Sequence, residues 1–119
     1  MYEIKVKGSF SAAHNLKNYR GKCEHLHGHN WMVEAVFAYK VLDKDGMAID
    51  FRMAKKALRG TIERLDHMYL NDLKFLKKIN PTSENIAKFI YTSVKKKINN
   101  LKSILVWENE TSCAVYTED

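Results

Sequence analysis

Two histidines of this chain are spaced for binding a metal ion. His27 and His29 are separated by one glycine in the sequence Cys-Glu-His-Leu-His-Gly-His, which occupies residues 23–29. Because alternate side chains of a strand point to the same face, we expect these two imidazoles to lie side by side. His14 is the leading candidate for a third ligand, and His25 is another, since it lies two residues before His27. A catalytic zinc site takes three protein ligands, commonly neutral imidazoles, and leaves one position open.

Groups that could transfer protons accompany these histidines. Cys23 lies four residues before His27, and a nearby metal would favour the thiolate form of its side chain. Asp66 and His67 are neighbours at the end of a predicted helix, where a histidine can also simply interact with the helix dipole. Glu108 ends an apolar segment, where a carboxylate requires partners. The chain therefore contains the residue types used in general acid–base catalysis.

Four strands are predicted from alternating or β-branched segments. They lie at residues 2–10, continuing to His14, and at 31–39, 104–108 and 112–117. A turn sequence, Asp-Lys-Asp-Gly, follows the second strand and allows residues 47–49 to return. Cys113, in the last strand, is expected to be a small buried residue.

Two helices are predicted between the second and third strands. Asp50 is the predicted N-cap of the first helix, whose apolar positions begin at Phe51 and follow helical spacing. Thr82 or Ser83 is the predicted N-cap of the second helix. Two strands, two helices and two strands predict an α+β domain, with a four-stranded antiparallel sheet and both helices packed on one face.

The motifs of this chain resemble the 6-pyruvoyl-tetrahydropterin synthase and 6-carboxytetrahydropterin synthase family. The resemblance covers nearly the whole chain and rests on five features. These are Phe-Ser-Ala-Ala-His at 10–14, the cysteine and His-Gly-His within 23–29, Leu-Asp-His-Met-Tyr-Leu-Asn-Asp at 65–72, Asn-Pro-Thr-Ser-Glu-Asn at 80–85, and Glu108 followed by Tyr116. It implies the tunnelling fold (T-fold), in which three sheets join edge to edge into a barrel and two trimers stack as a homohexamer.

The resemblance also implies roles for individual residues. It implies three ligands for Zn²⁺, which are His14, His27 and His29, and it leaves His25 out. It implies that the substrate is 7,8-dihydroneopterin triphosphate. Cys23 matches the general base of the family, and Asp66 with His67 matches its second proton-transfer pair.

The same resemblance implies which residues bind the pterin ring. Glu108 matches the carboxylate that accepts hydrogen bonds from the exocyclic amine and ring N–H of a pterin, and Glu110 is a rival two residues away. Thr82, Ser83 and Glu84 match a segment that lines the pterin pocket. The first two also suit simple helix capping, and both roles can hold together.

The spacing of Cys23 favours one reaction of the family. Three residues between this thiol and the paired histidines resemble the 6-carboxytetrahydropterin synthases of the queuosine route, which release acetaldehyde and triphosphate. Pyruvoyl-forming members usually have a longer interval. Glu24 offers an alternative, because members that form 6-hydroxymethyl-7,8-dihydropterin for folate use a glutamate near the cysteine position. Glu24 could equally be a solvated loop residue.

A non-catalytic zinc-binding or pterin-binding module is the alternative from a different functional class. Such a module has no need of Cys23, Asp66, His67 and Glu108 together, so their joint presence argues against it.

Composition agrees with an enzyme for a small anionic substrate. The 119 residues suit a single domain over 1–119, and 45% hydrophobic with 29% charged residues is ordinary for a globular protein. No apolar run approaches the ~20 residues of a membrane span, and no signal-peptide pattern is present, so a cytoplasmic protein without a membrane partner is expected. The net charge of +6 suits a triphosphate. Nucleic acid is not an expected partner, because its recognition motifs are missing.

Overall fold

A four-stranded antiparallel sheet in the order β1-β2-β3-β4 forms the frame of the structure. The structure, a computed structural model, describes residues 1–17 and 25–118. Its elements are β1 (Tyr2–His14), β2 (His27–Tyr39), α1 (Phe51–Ile62), a short 3-10 helix (Leu70–Asp72), α2 (Ser83–Lys97), β3 (Leu101–Trp107) and β4 (Cys113–Thr117). This is the predicted α+β arrangement of two strands, two helices and two strands.

The long hairpin of β1 and β2 determines where the histidines lie. Tyr2 pairs with Tyr39 at one end of the hairpin, and His14 pairs with His27 at the other. Residues directly opposite one another in antiparallel strands share a face of the sheet. On this face the hairpin buries apolar side chains over most of its length, namely Val6, Phe10, Trp31, Val33 and Phe37. The histidines continue the same face past the end of the apolar core.

The second strand begins earlier than the sequence predicted. It starts at His27 rather than at residue 31, because β1 remains paired with it as far as His14. Residues 47–49 do not return as a strand. The Asp43 carboxylate accepts hydrogen bonds from the backbone N–H groups of Asp45 and Met47, and the resulting turn leads almost directly into α1.

Both helices begin at predicted caps. The Asp50 side chain accepts a hydrogen bond from Arg52 N at 2.8 Å, and Thr82 Oγ1 accepts one from Asn85 N at 3.1 Å. Phe51 was expected on the buried face of α1 but is 58% exposed, because it occupies the first helical position, beyond the edge of the core. Neither helix among the described residues has the combined length and hydropathy that a membrane span needs.

The prediction that Cys113 is buried was wrong. Its thiol is free and exposed, because β4 is the last strand of the sheet and its alternate residues face away from the helices. Tyr116, on the opposite face of β4, packs against Tyr91 of α2 with ring centroids 5.0 Å apart.

Candidate metal centre and substrate pocket

Four side chains from three segments of the chain converge at one end of the sheet. They are His14 at the end of β1, His27 and His29 at the start of β2, and Glu108 just beyond β3. One potential ligand atom from each lies within 4.8 Å of all the others. Glu108 Oε1 is 2.8 Å from Nε2 of His29. The same oxygen is 3.5 Å from Nε2 of His14 and 3.9 Å from that of His27.

Backbone carbonyl groups orient two of these imidazoles. His14 Nδ1 lies 2.8 Å from the Pro81 carbonyl oxygen, and His27 Nδ1 lies 2.7 Å from that of His25. A carbonyl oxygen can only accept, so each Nδ1 carries the hydrogen and each Nε2 keeps its lone pair. Hydrogen bonds of this kind commonly fix the tautomer of histidines that bind metals.

Burial favours the neutral form of two imidazoles of this group, those of His14 and His29. It lowers the pKa of His14, and this effect exceeds the opposing one of the hydrogen bond to Pro81. It also lowers the pKa of His29, even though the nearby charge of Glu108 acts in the other direction. Imidazole binds metals in its neutral form, so both side chains are in the state that a metal site requires.

The donor set fits a metal ion. Within the described part of the chain, Nε2 of His14 and of His29 lacks a hydrogen-bond partner of good geometry, although Glu108 lies close to the second atom. The Nε2 lone pairs of His14 and His27 therefore face an acceptor-only carboxylate, an arrangement that a cation would stabilise. The four side chains could hold a metal ion.

The structure places the side chain of His25 outside this group. His25 contributes its backbone carbonyl to the orientation of His27, and its exposed imidazole is not among the converging side chains. The sequence spacing left His14 and His25 open as third members, and the tertiary structure brings in His14.

Asp66 and His67 form a second polar group against the free edge of β1. Asp66 Oδ2 lies 3.1 Å from His67 Nδ1, while Asp66 Oδ1 accepts a hydrogen bond from Ser11 N at 2.8 Å. This backbone bond, followed by the contact with His67, holds the pKa of the Asp66 carboxyl below its usual value. The carboxylate is therefore ionised and able to orient the imidazole.

The backbone of His67 is strained. Its φ angle is +59°, in the left-handed region, and its N–H donates to Ser11 O at 2.6 Å. A residue other than glycine pays about 1–3 kcal/mol for such a conformation, which persists only where the surroundings enforce it. Strain of this kind clusters at functional sites, and here it directs an 83% exposed imidazole outward.

The two groups open onto a common cavity. A cleft of about 530 Å³ is lined by both His29 and His67, together with Ser11, Asn30 and Tyr69. The sequence interpretation did not include the last three residues. Ser11 belongs to the sequence motif at 10–14 and Tyr69 to the one at 65–72. Their membership in these motifs could have marked both residues as candidates for the site.

Glu108 lines a separate cavity. Glu108, Ser83 and Glu84 line this space of about 420 Å³, and the exposed Cys113 lies at it as well. Ser83 Oγ donates to Glu108 Oε2 at 3.3 Å. Three of the four residues expected near the pterin thus line one cavity, whereas the hydroxyl of Thr82 serves as the cap of α2. Cys23 and Glu24 lie outside the described residues.

Comparisons with known proteins agree with this architecture. The sequence profile of the family described as 6-pyruvoyl tetrahydropterin synthase matches residues 3–119. The chain is 38% identical over 122 residues to 6-carboxy-5,6,7,8-tetrahydropterin synthase of Synechocystis sp., covering 98% of this chain and 93% of the relative. It is 36% identical over 108 residues to dihydroneopterin monophosphate aldolase of Pyrococcus furiosus, covering 88% of each.

The fold of a solved relative also matches. The structure of Caenorhabditis elegans 6-pyruvoyl tetrahydropterin synthase superposes with a TM-score of 0.90 at 26% identity, covering 99% of this chain and 96% of that chain. A profile match over nearly the whole sequence, with relatives above 30% identity, identifies the family. The chain belongs to the 6-pyruvoyl tetrahydropterin synthase family and has its T-fold architecture.

Proposed function

We propose that this protein is a zinc-dependent 6-carboxy-5,6,7,8-tetrahydropterin synthase. It would act on 7,8-dihydroneopterin triphosphate in the cytoplasm and release acetaldehyde and triphosphate, a step of queuosine biosynthesis. The observation that carries the proposal is the convergence of His14, His27 and His29 beside a cavity that His67 also lines. The Synechocystis relative that bears the 6-carboxytetrahydropterin synthase name supports the choice of reaction.

Zinc is the ion that the donor set supports best. Three imidazole nitrogens and a carboxylate oxygen are ligands that zinc accepts, and a catalytic zinc keeps one position for substrate. When bound, zinc polarises oxygen atoms of the substrate and thereby acidifies neighbouring protons. His14, His27 and His29 would hold it, which leaves Glu108 available for the pterin.

Glu108 would anchor the pterin ring from the second cavity. A carboxylate can accept from the exocyclic amine and the ring N–H of a pterin at once, and charge-assisted bonds of this type are strong. Ser83 already donates to Glu108 Oε2, which limits the rotation of the carboxylate. The proximity of Oε1 to the three histidines supports a second role, as a fourth metal ligand.

His67 and Cys23 would move the protons. The contact of Asp66 with His67 Nδ1 holds the ring and leaves Nε2 to exchange a proton with the substrate side chain. Cys23, four residues before His27, is the proposed general base. The two proposed proton-transfer residues therefore belong to separate segments of the sequence.

Substitutions at His67 should separate stability from turnover. His67→Ala and His67→Gly both remove the imidazole, so each should lower turnover about a hundredfold or more. Glycine tolerates the positive φ of this residue whereas alanine does not, so His67→Gly should have a free energy of unfolding about 1 kcal/mol higher than His67→Ala. Denaturant titration and a turnover assay check both results. Equal stability of the two variants would contradict the strain at His67, and full turnover would contradict its role.

A second candidate function is aldolase-type cleavage to 6-hydroxymethyl-7,8-dihydropterin, alone or beside the first reaction. It is favoured by the relative named dihydroneopterin monophosphate aldolase, at 36% identity, and by the position of Glu24 next to Cys23. A carboxylate at this position could act as the base for retro-aldol cleavage. Two further functions remain as alternatives. One is formation of 6-pyruvoyl-tetrahydropterin, and the other is a binding module without turnover.

Product analysis tests the proposal directly. Zinc-loaded protein is incubated with 7,8-dihydroneopterin triphosphate and, separately, with the monophosphate, and the pterins are separated by chromatography and identified by mass. A carboxytetrahydropterin as the main product supports the proposed reaction. A hydroxymethyl product favours the aldolase function, a pyruvoyl product contradicts the preference based on Cys23 spacing, and no turnover favours the binding module.

Glu24→Ala should separate the two cleavage reactions. If Glu24 is the base of the aldolase reaction, this variant loses the hydroxymethyl product and retains the carboxy product. Cys23→Ala is the matched control and should lose the carboxy product. A parent protein that makes no hydroxymethyl product, or a Glu24→Ala variant that still makes it, contradicts a catalytic role for Glu24.

A homohexamer built as a dimer of trimers belongs to the same proposal. Sheet order leaves β1 and β4 at the edges, and exposed edges tend to pair with other chains. Residues 66–69 cover β1 at Ser11 and Ala13, so its N-terminal part is the portion available for joining a neighbouring sheet.

A further inference from the structure

Two asparagine side chains take the place of a neighbouring strand beyond the end of β1. Asn15 N donates to Asn71 Oδ1 at 3.0 Å, and Asn71 Nδ2 donates back to Asn15 O at 2.9 Å. Asn80 does the same for Lys17, with distances of 2.7 Å and 2.9 Å. Each of the two amides thus pairs with both the N–H and the C=O of one backbone residue, as a neighbouring strand would.

His14 lies in the middle of this arrangement. On one side, Ala13 N donates to Met68 O at 3.0 Å, and on the other side Asn15 is paired with Asn71. The carbonyl group that meets His14 Nδ1 belongs to Pro81, the residue directly after Asn80. The imidazole of His14 thus depends on contacts with residues more than 50 positions away in the sequence.

The other two histidines are positioned more locally. His27 and His29 lie two residues apart in one strand, and His27 Nδ1 meets a carbonyl only two residues away. His14 is the last residue of β1 and pairs with His27, the first residue of β2. Beyond that point the side chains of Asn71 and Asn80 bind the backbone at Asn15 and Lys17.

We propose that Asn71 and Asn80 are positioning residues of the metal centre. Asn71 fixes the backbone that follows His14, and Asn80 fixes the segment that presents the Pro81 carbonyl to His14 Nδ1. Together they direct His14 Nε2 toward the other two histidines. Metal–imidazole distances have a narrow range, near 2.0–2.1 Å for zinc, so a small displacement of His14 weakens the site. The inference rests on the metal centre of the proposed function and not on the identity of the reaction.

Cobalt(II) is the probe for this proposal, because its visible absorption reports the coordination geometry. Asn71→Asp and Asn80→Asp keep the size and one acceptor oxygen of the parent side chain but replace the amide donor with an oxygen that faces a carbonyl. We expect each variant to bind cobalt about tenfold more weakly or worse, the range typical for the loss of an outer partner of a ligand, and to change the absorption of the bound ion.

Asn100→Asp is the matched control. In the parent protein, Asn100 Nδ2 also donates to a strand carbonyl, that of Ala38, at 3.0 Å. The substitution likewise replaces this donor with an acceptor oxygen. Ala38 lies near the opposite end of β2, about 30 Å along the strand from His29. This variant should lower the melting temperature of the metal-free protein as the others do, while cobalt affinity and absorption stay as in the parent.

The outcomes distinguish the proposal from a purely structural role. Parent-like cobalt affinity and absorption in both site variants would overturn it, whatever their melting temperatures. If Asn71→Asp fails to fold, the cobalt affinity and absorption of Asn80→Asp test the proposal alone, and parent-like values would overturn it. A parent protein that binds no cobalt overturns the metal centre and this inference together. A parent that binds cobalt but does not turn over 7,8-dihydroneopterin triphosphate overturns only the proposed function.

Discussion

His27→Ala should lose the bound metal and at least about a thousandfold in turnover, whereas His25→Ala should change neither. Polarisation of the substrate by a metal contributes several kcal/mol to transition-state stabilisation, and each 1.36 kcal/mol corresponds to a factor of ten in rate. His27 is the preferred position for this test over His14, because its side chain is 25% exposed rather than 1% and its removal leaves a smaller void in the core.

The control at His25 is closely matched. Both residues are histidines near the start of β2, and His25 acts through its backbone carbonyl, which alanine retains. Zinc content after dialysis, measured by mass spectrometry, and the rate of pterin formation provide the two readouts. Loss of zinc in His25→Ala would make its imidazole a ligand and contradict the assignment of His14. Full zinc and turnover in His27→Ala would contradict the metal centre.

Glu108→Gln should lower kcat/KM at least about a hundredfold while the bound metal is retained. The substitution keeps the shape of the side chain but places an amide NH₂ where a pterin presents its own donors. Hydrogen bonds to a charged group contribute about 1.5–3 kcal/mol each, so the loss of two such bonds accounts for this factor. Zinc should remain, because three histidines suffice for a catalytic site.

Glu110→Gln is the control for the carboxylate, since it makes the same change two residues away at an exposed position. It should leave kcat/KM and zinc content near parent values. The zinc content of Glu108→Gln separates the two roles of Glu108, because its loss would identify this residue as a fourth ligand. If Glu110→Gln lowered kcat/KM as much as Glu108→Gln does, this would contradict the assignment of Glu108, rather than Glu110, as the pterin anchor.

Features that depend on nearby residues were predictable from the sequence. Asp50 and Thr82 cap their helices as expected, because capping needs only a short polar side chain and the backbone two or three residues ahead. His27 and His29 share a face, because side-chain direction alternates along a strand. The order of elements followed from local patterns of the same kind, and this order predicted the α+β fold.

Features that depend on distant partners were not predictable in this way. The start of β2 at His27 depends on how far β1 stays paired, and the exposure of Cys113 depends on which strand lies at the edge of the sheet. The strained φ of His67 is enforced by hydrogen bonds to Ser11, more than 50 residues earlier. No local pattern contains these relationships.

The sequence by itself determined the family, the element order and the residue types available for metal binding and proton transfer, since these depend on motifs and short-range periodicity. The spacing of the histidines left His14 and His25 open and the family resemblance implied His14, but only the tertiary structure brings His14 together with His27, His29 and Glu108 at one point. The physical reason is that the direction of a ligand's lone pair depends on the partner of its other ring nitrogen. For His14 that partner is the Pro81 carbonyl, which the fold brings from 67 residues away.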